Sequence, residues 1–146
     1  MSHPAGSRRS RAAVTVMTAG CATTVLGIGL LALLAPRSFA GMINFAPYNE
    51  HLLHDVGAFQ VGIAVSLLAA LRWSDALGVA LLGFVVGDAI HTANHALDRH
   101  LGGHSSDLWL LGGLGLLATA ALILQLRTNR AAPLSPQPPS LEKRSE

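Results

Sequence analysis

The sequence predicts an all-α protein: a four-helix transmembrane bundle with its N-terminus and C-terminus cytoplasmic. Three observations predict it. Of the 146 residues, 51% are hydrophobic and 12% are charged, where a soluble domain carries about 25% charged residues. The apolar residues gather into four runs parted by polar or Pro-containing segments, and with their flanking turns each reaches the roughly 20 residues that cross a bilayer as a helix. The arginines and lysines collect at alternate ends of those runs, which orients the bundle.

The first helix is expected over 12–35, behind a cytoplasmic segment, 1–11, that carries Arg8, Arg9 and Arg11. Three features here imitate targeting signals. Arg8-Arg9 has the form of a twin-arginine signal, Ser38-Phe39-Ala40 that of a cleavage site, and Thr18-Ala19-Gly20-Cys21 that of a lipoprotein box. The apolar run is about 24 residues, longer than a signal-peptide core. Most of it follows Cys21, the wrong order for lipidation. A retained helix is therefore expected; a cleaved signal would leave three. Pro36-Arg37 ends the run. Ala19, Thr23 and Gly27 form a small face for another helix.

Residues 36–49 make the longest connection. Phe39, Met42, Ile43, Phe45 and Tyr48 mark it as interfacial, and Asn49 is suited to cap the next helix. That second helix is expected over 51–71. Its purely apolar part, 56–71, extends roughly 24 Å, short of the ~30 Å hydrocarbon core. His51, His54 and Asp55 must supply the missing turn. They share a face that Ala58, Gly62 and Ala69 continue, so this face is expected to meet another helix. Arg72 and Trp73 mark the opposite interface.

The third helix is expected over 75–98, capped by Ser74-Asp75 and ended by Leu101-Gly102-Gly103. The fourth, 107–127, is anchored by Trp109 and Arg127, and Gly112, Gly113 and Gly115 favour tight packing or a bend. Residues 128–146 carry Pro133, Pro136, Pro138 and Pro139 and predict a disordered cytoplasmic tail.

With the N-terminus inside, eight basic residues are cytoplasmic and two, Arg37 and Arg99, are outside. That is the positive-inside pattern. Richness in Ala, Gly, Leu and Arg suggests a bacterium, so the expected location is the bacterial cytoplasmic membrane, multi-pass. Basic residues form no stripe interleaved with aromatics, which argues against nucleic acid as a partner. One cysteine, Cys21, excludes an intramolecular disulfide.

The chemistry gathers in the outer thirds of the second and third helices. Asp88, His91 and His95 fall at about 0°, −60° and −20° on a helix of 3.6 residues per turn. They share one face with Thr92 beside them. An inner turn at 72–75 makes the two helices antiparallel neighbours, so His51, His54, Asp55, Asp88, His91 and His95 are the candidate polar pocket or metal site. Three readings stand open. His91 and His95 at i, i+4 suit a metal, and histidines on two helices suit a haem. Histidine beside a carboxylate suits proton or redox chemistry with a membrane-soluble partner such as a quinone. Equally, intrahelical and cross-helix hydrogen bonds can simply hold the bundle in register, in a structural or interaction protein that does no chemistry and meets other membrane helices.

The segment Asn49-Glu50-His51-Leu52-Leu53-His54-Asp55-Val56-Gly57-Ala58-Phe59 resembles the corresponding part of small four-helix bacterial membrane proteins of the DoxX-like group. The likeness extends over 12–127 as a hydropathy plan. It implies a four-helix bundle, and because some members of that group are associated with terminal quinol oxidases or thiol-redox systems while most have no known activity, it favours a redox-linked accessory role. It implies no catalytic residue.

A retained first helix predicts that protein purified from its own membranes has the intact mass of a chain still carrying residues 12–40. A product beginning at Gly41 would show that the helix is a signal.

Overall fold

The computed structural model describes residues 4–130. In apolar surroundings a backbone must satisfy its own hydrogen bonds, and a run of Leu, Ala, Val and Gly does so as a helix. The described residues form α1 (Pro4–Leu34), α2 (Pro36–Met42), α3 (Glu50–Ala70), α4 (Ser74–Leu97) and α5 (Asp107–Arg130), with a 3-10 turn at Arg99–Leu101. Four of them, α1, α3, α4 and α5, are long and apolar enough to cross a membrane. Phe59, Val79, Trp109 and Leu116 are among many large apolar side chains left exposed, a surface suited to lipid and not to water.

Several boundaries differ from expectation. α1 begins at Pro4, not near residue 12, because Arg8, Arg9 and Arg11 are good helix formers that let the helix run on past the apolar segment. α5 likewise continues to Arg130, so 128–130 are helical and do not begin a disordered tail. The remainder of that expected tail, 131–146, lies outside the described residues. α4 starts at Ser74 itself, with Trp73 in the cap position and no side-chain cap. Asn49 does cap α3: its side chain accepts the Leu52 N–H at 3.1 Å.

The interfacial connection holds a helix of its own. Pro36 opens α2 at its first turn, where a missing N–H costs nothing. At its end the Phe45 N–H reaches the Ala40 carbonyl at 2.9 Å and the Asn44 N–H reaches that of Gly41 at 3.3 Å. Asn44 has φ 52°. This is a Schellman stop with asparagine in the left-handed position. A helix this short has too few turns to show a hydrophobic period, but Pro36 and Asn44 are its start and stop signals.

Two apolar clusters hold the bundle. Near the arginine-rich end, Val14, Cys21 and Ala22 of α1 meet Leu67 and Ala70 of α3, Leu77 and Leu81 of α4, and Ala118 and Ala121 of α5. All four long helices share this core. At the other, histidine-rich end, the cluster is Ala32, Phe39, Ala40 and Leu53, with Ile28, Leu31, Ile43 and Phe45 around it. Only α1, α2 and α3 contribute there. Accordingly α3 packs chiefly on α1, α4 packs on α5, and the seam between α3 and α4 is the slightest of the four between adjacent long helices.

α1 and α3 approach closely at Gly29 and Gly57. A Cβ on Gly57 would stand 2.8 Å from the Gly29 carbonyl oxygen, and one on Gly29 would stand 3.0 Å from the Gly57 carbonyl oxygen. The expected small face of α1 is not the one used. Thr23 and Gly27 are exposed, and the buried face runs through Val14, Thr18, Cys21, Val25 and Ala32. Small residues alone do not set the contact; a glycine opposite a glycine does.

Gly57→Ala should therefore destabilise the bundle by about 1–3 kcal/mol, the usual cost of forcing a methyl into packed backbone. Gly27→Ala points into open space and should leave thermal unfolding in detergent unchanged. Equal behaviour of the two variants would contradict the crossing.

Candidate functional site

α4 carries Asp88, His91 and His95 on one face, as helical spacing requires, and α5 lies along it. The structure splits the three between two environments. His91 and His95 stack edge-to-face, ring centroids 4.7 Å apart at 76°. His95 Nδ1 then stands 3.6 Å from Asp107 Oδ2 on α5, with the two side chains 32% and 22% exposed. The same Asp107 oxygen accepts the His104 N–H at 2.7 Å. Gly103, at φ +80°, brings the loop there: a Cβ on it would lie 2.9 Å from that oxygen. The His104 ring reaches across to the Met42 carbonyl at 3.2 Å, so the loop before α5 and the end of α2 meet and close this end of the bundle.

Asp88 lies deeper. Its carboxylate rests against α5 at Gly115, where a Cβ would collide with Asp88 Oδ2. Gly115 is thus the space that the carboxylate occupies. The Thr92 hydroxyl, on the same stretch of α4, is buried without a partner in the structure.

The α3 residues stay apart from this group. His51 Nε2 pairs with Asp55 Oδ2 of its own helix at 3.6 Å, both side chains open to solvent at 89% and 53% exposure. His54 is half-buried one turn into α3. Among the described residues, no group of three or more His, Cys, Asp or Glu side chains is arranged to hold a metal ion. The six candidates therefore do not converge into one cage. The physical reason is the packing order: α3 is drawn to α1 and α4 to α5, so the histidine-rich ends of α3 and α4 diverge from their shared turn.

That divergence opens a cleft of about 610 Å³ between α3 and α4. Ala58, Phe59, Gly62 and Ile63 wall it on α3; Val79, Gly83, Phe84 and Gly87 wall it on α4; Val25 and Ile28 of α1 and Leu111 and Leu114 of α5 form its floor. Gln60, Ser66, Asp88 and His91 are its polar lining. The Ser66 hydroxyl is committed to the Gly62 carbonyl at 2.8 Å. The face through Ala58 and Gly62, expected to meet a helix, faces this opening instead, and Gly62 has nothing within 4 Å of where a Cβ would be.

A smaller cavity of about 310 Å³ lies beside α2, lined by Arg37, Asn44, Phe45 and Tyr48 among others. Arg37 covers the Tyr48 ring, 4.9 Å from its centroid, and the Tyr48 hydroxyl donates to Glu50 at 3.0 Å. The surrounding protein, and then the Glu50 carboxylate, push that phenol above its ordinary pKa. Arg37, Tyr48 and Glu50 are thus partnered with one another.

Asp107 and His104 are the residues that sequence reasoning missed. Asp107 opens α5, where a carboxylate also suits the helix dipole, and it starts that helix level with the end of α4. The antiparallel register of the third and fourth helices was the signal. No family model, no curated protein and no solved structure matches the chain.

The two ion pairs should differ in worth. Asp107→Ala removes a half-buried pair and the acceptor of a loop N–H, and should cost about 1–2 kcal/mol. His51→Ala breaks an exposed pair and should change stability by no more than about 0.5 kcal/mol. Thermal unfolding of both variants beside the parent protein checks the ordering.

Proposed function

We propose that this is a multi-pass protein of the cytoplasmic membrane, both termini inside, that binds a small amphipathic ligand in the cleft between α3 and α4. One observation carries the reading: a mostly apolar cleft of about 610 Å³ between α3 and α4 with Asp88 and His91 among its few polar groups. Its size is that of small-molecule sites, about 300–1,000 Å³, and such sites pair apolar walls with a few convergent polar groups. Ionisable residues at membrane depth are costly, and they face cavities or pathways when they persist. With Arg72 and Arg127 at the inner interface, Asp88 and His91 fall toward the outer leaflet.

A register-fixing role accounts for His95 and Asp107, which pair across α4 and α5. Asp88 and His91 have packing contacts too, on Gly115 and on His95, but unlike His95 and Asp107 they also line the opening. A metal or haem would need ligands brought together, and the α3 and α4 histidines stand on diverging helix ends. A membrane-soluble quinone, the ligand that a redox-linked accessory role would call for, has the shape of an amphipathic guest for this cleft, with His91 as its hydrogen-bonding partner.

Gly83 lines the cleft and has nothing within 4 Å of a Cβ position. Gly83→Leu should fill the opening without disturbing either core. Protein purified in mild detergent should carry a small apolar molecule detectable by native mass spectrometry, lost in Gly83→Leu at unchanged thermal stability. A parent protein that carries nothing, or a variant that carries the same molecule, would sink the proposal.

A further inference from the structure

We infer that the cleft selects lipophilic organic cations and that Asp88 is the group that meets their charge; the inference rests on the cleft being a ligand site. Of the described residues that line the cleft, Asp88 is the only carboxylate, and neither lysine nor arginine is among them. The uncharged surroundings of Asp88 and its cleft come from all four helices. α5 presents Gly115, which has no side chain to pair. α1 presents Cys21, whose sulfur lies 3.8 Å from the Leu114 carbonyl. α3 presents Gln60 and Ser66, both uncharged. α4 itself presents His91, one turn on.

His91 does not answer the Asp88 charge. It stacks on His95, and His95 faces Asp107, so whatever positive charge the two rings carry is met from α5. Among the described residues no Lys, Arg or His nitrogen pairs with the Asp88 carboxylate. A lone carboxylate in an apolar opening is an expensive arrangement. A guest cation removes that cost, because each charge replaces the solvation the other has lost.

The walls define which cation. An inorganic ion would keep its water and gain nothing from Val79 or Ile63. An organic cation loses water easily and covers those apolar surfaces. Phe59 and Phe84 add two aromatic rings to the lining, and a ring face attracts a desolvated organic cation. An anion of the same shape meets the Asp88 charge and is repelled. A lipid acyl chain would fill the space without regard to charge.

The test uses the full chain in phosphatidylcholine nanodiscs and two radiolabelled probes of one shape and opposite charge, tetraphenylphosphonium and tetraphenylborate, counted above empty nanodiscs. Saturable phosphonium binding, about one per chain, is expected, with no saturable borate binding. Asp88→Asn should weaken the phosphonium at least about tenfold, as loss of one partner of a desolvated charge pair does. Selectivity between the two probes needs no variant, so the inference is tested even if Asp88→Asn fails to fold. Equal binding of both probes, or phosphonium binding untouched by Asp88→Asn, would overturn the cation inference while leaving the cleft a ligand site. No saturable phosphonium binding, with an apolar molecule still co-purifying and lost in Gly83→Leu, would also overturn the inference alone. No binding and no co-purifying molecule would overturn both.

Discussion

The contact on which the rest depends is the crossing of α1 and α3 at Gly29 and Gly57. With no side chain on either residue, the two backbones come so close that a methyl on Gly57 would reach the Gly29 carbonyl oxygen at 2.8 Å. Where lipid tails are as apolar as the helices, close backbone packing of this kind is a main source of helix association. The crossing holds the histidine-rich half of α3 against α1. The turn after Ala70 holds its other end beside α4. A straight helix pinned in this way at both points must leave α4 along its length, and the cleft is the space so made.

The second pair follows the same logic with a polar group in place of a methyl. Gly115 leaves room on α5 for the Asp88 carboxylate, and the His95–Asp107 pair draws the ends of α4 and α5 together. The bundle is then two tight pairs, α1 with α3 and α4 with α5, joined through α1 and α5 and through the shared core near the arginine-rich end. α2 wedges Phe39 and Ala40 under the first pair only. Among the described residues nothing comparable fills the space between α3 and α4, and Asp88 and His91 border the opening that is left.

Much of this plan was legible in the sequence, and the limits have physical causes. The four long helices followed from apolar runs and their punctuation, and Asn49 was recognisable as a cap because capping is local chemistry. Asp88, His91 and His95 shared a face as helical periodicity demands. Periodicity does not say which neighbour a face meets. Ala58 and Gly62 read as a packing stripe, yet they border the cleft, while Gly29 and Gly57, on different helices, carried no pattern that either helix alone could display. The convergence of the α3 and α4 histidines failed for the same reason: chain neighbours joined by a short turn touch at the turn, and only long-range packing decides whether they stay together. Asp107 was visible as a helix start but not as the partner of His95, a register between helices that no local signal specifies.

The opening between α3 and α4 is the central claim, and electron paramagnetic resonance reads it most directly. Nitroxides placed singly at Gly62 and Gly83, in a Cys21→Ala background in nanodiscs, would report mobility and access to oxygen dissolved in the lipid. An open seam gives mobile spectra and high oxygen accessibility at both positions. Immobilised spectra with low accessibility at both would mean that α3 and α4 close on each other, and the cleft would be contradicted.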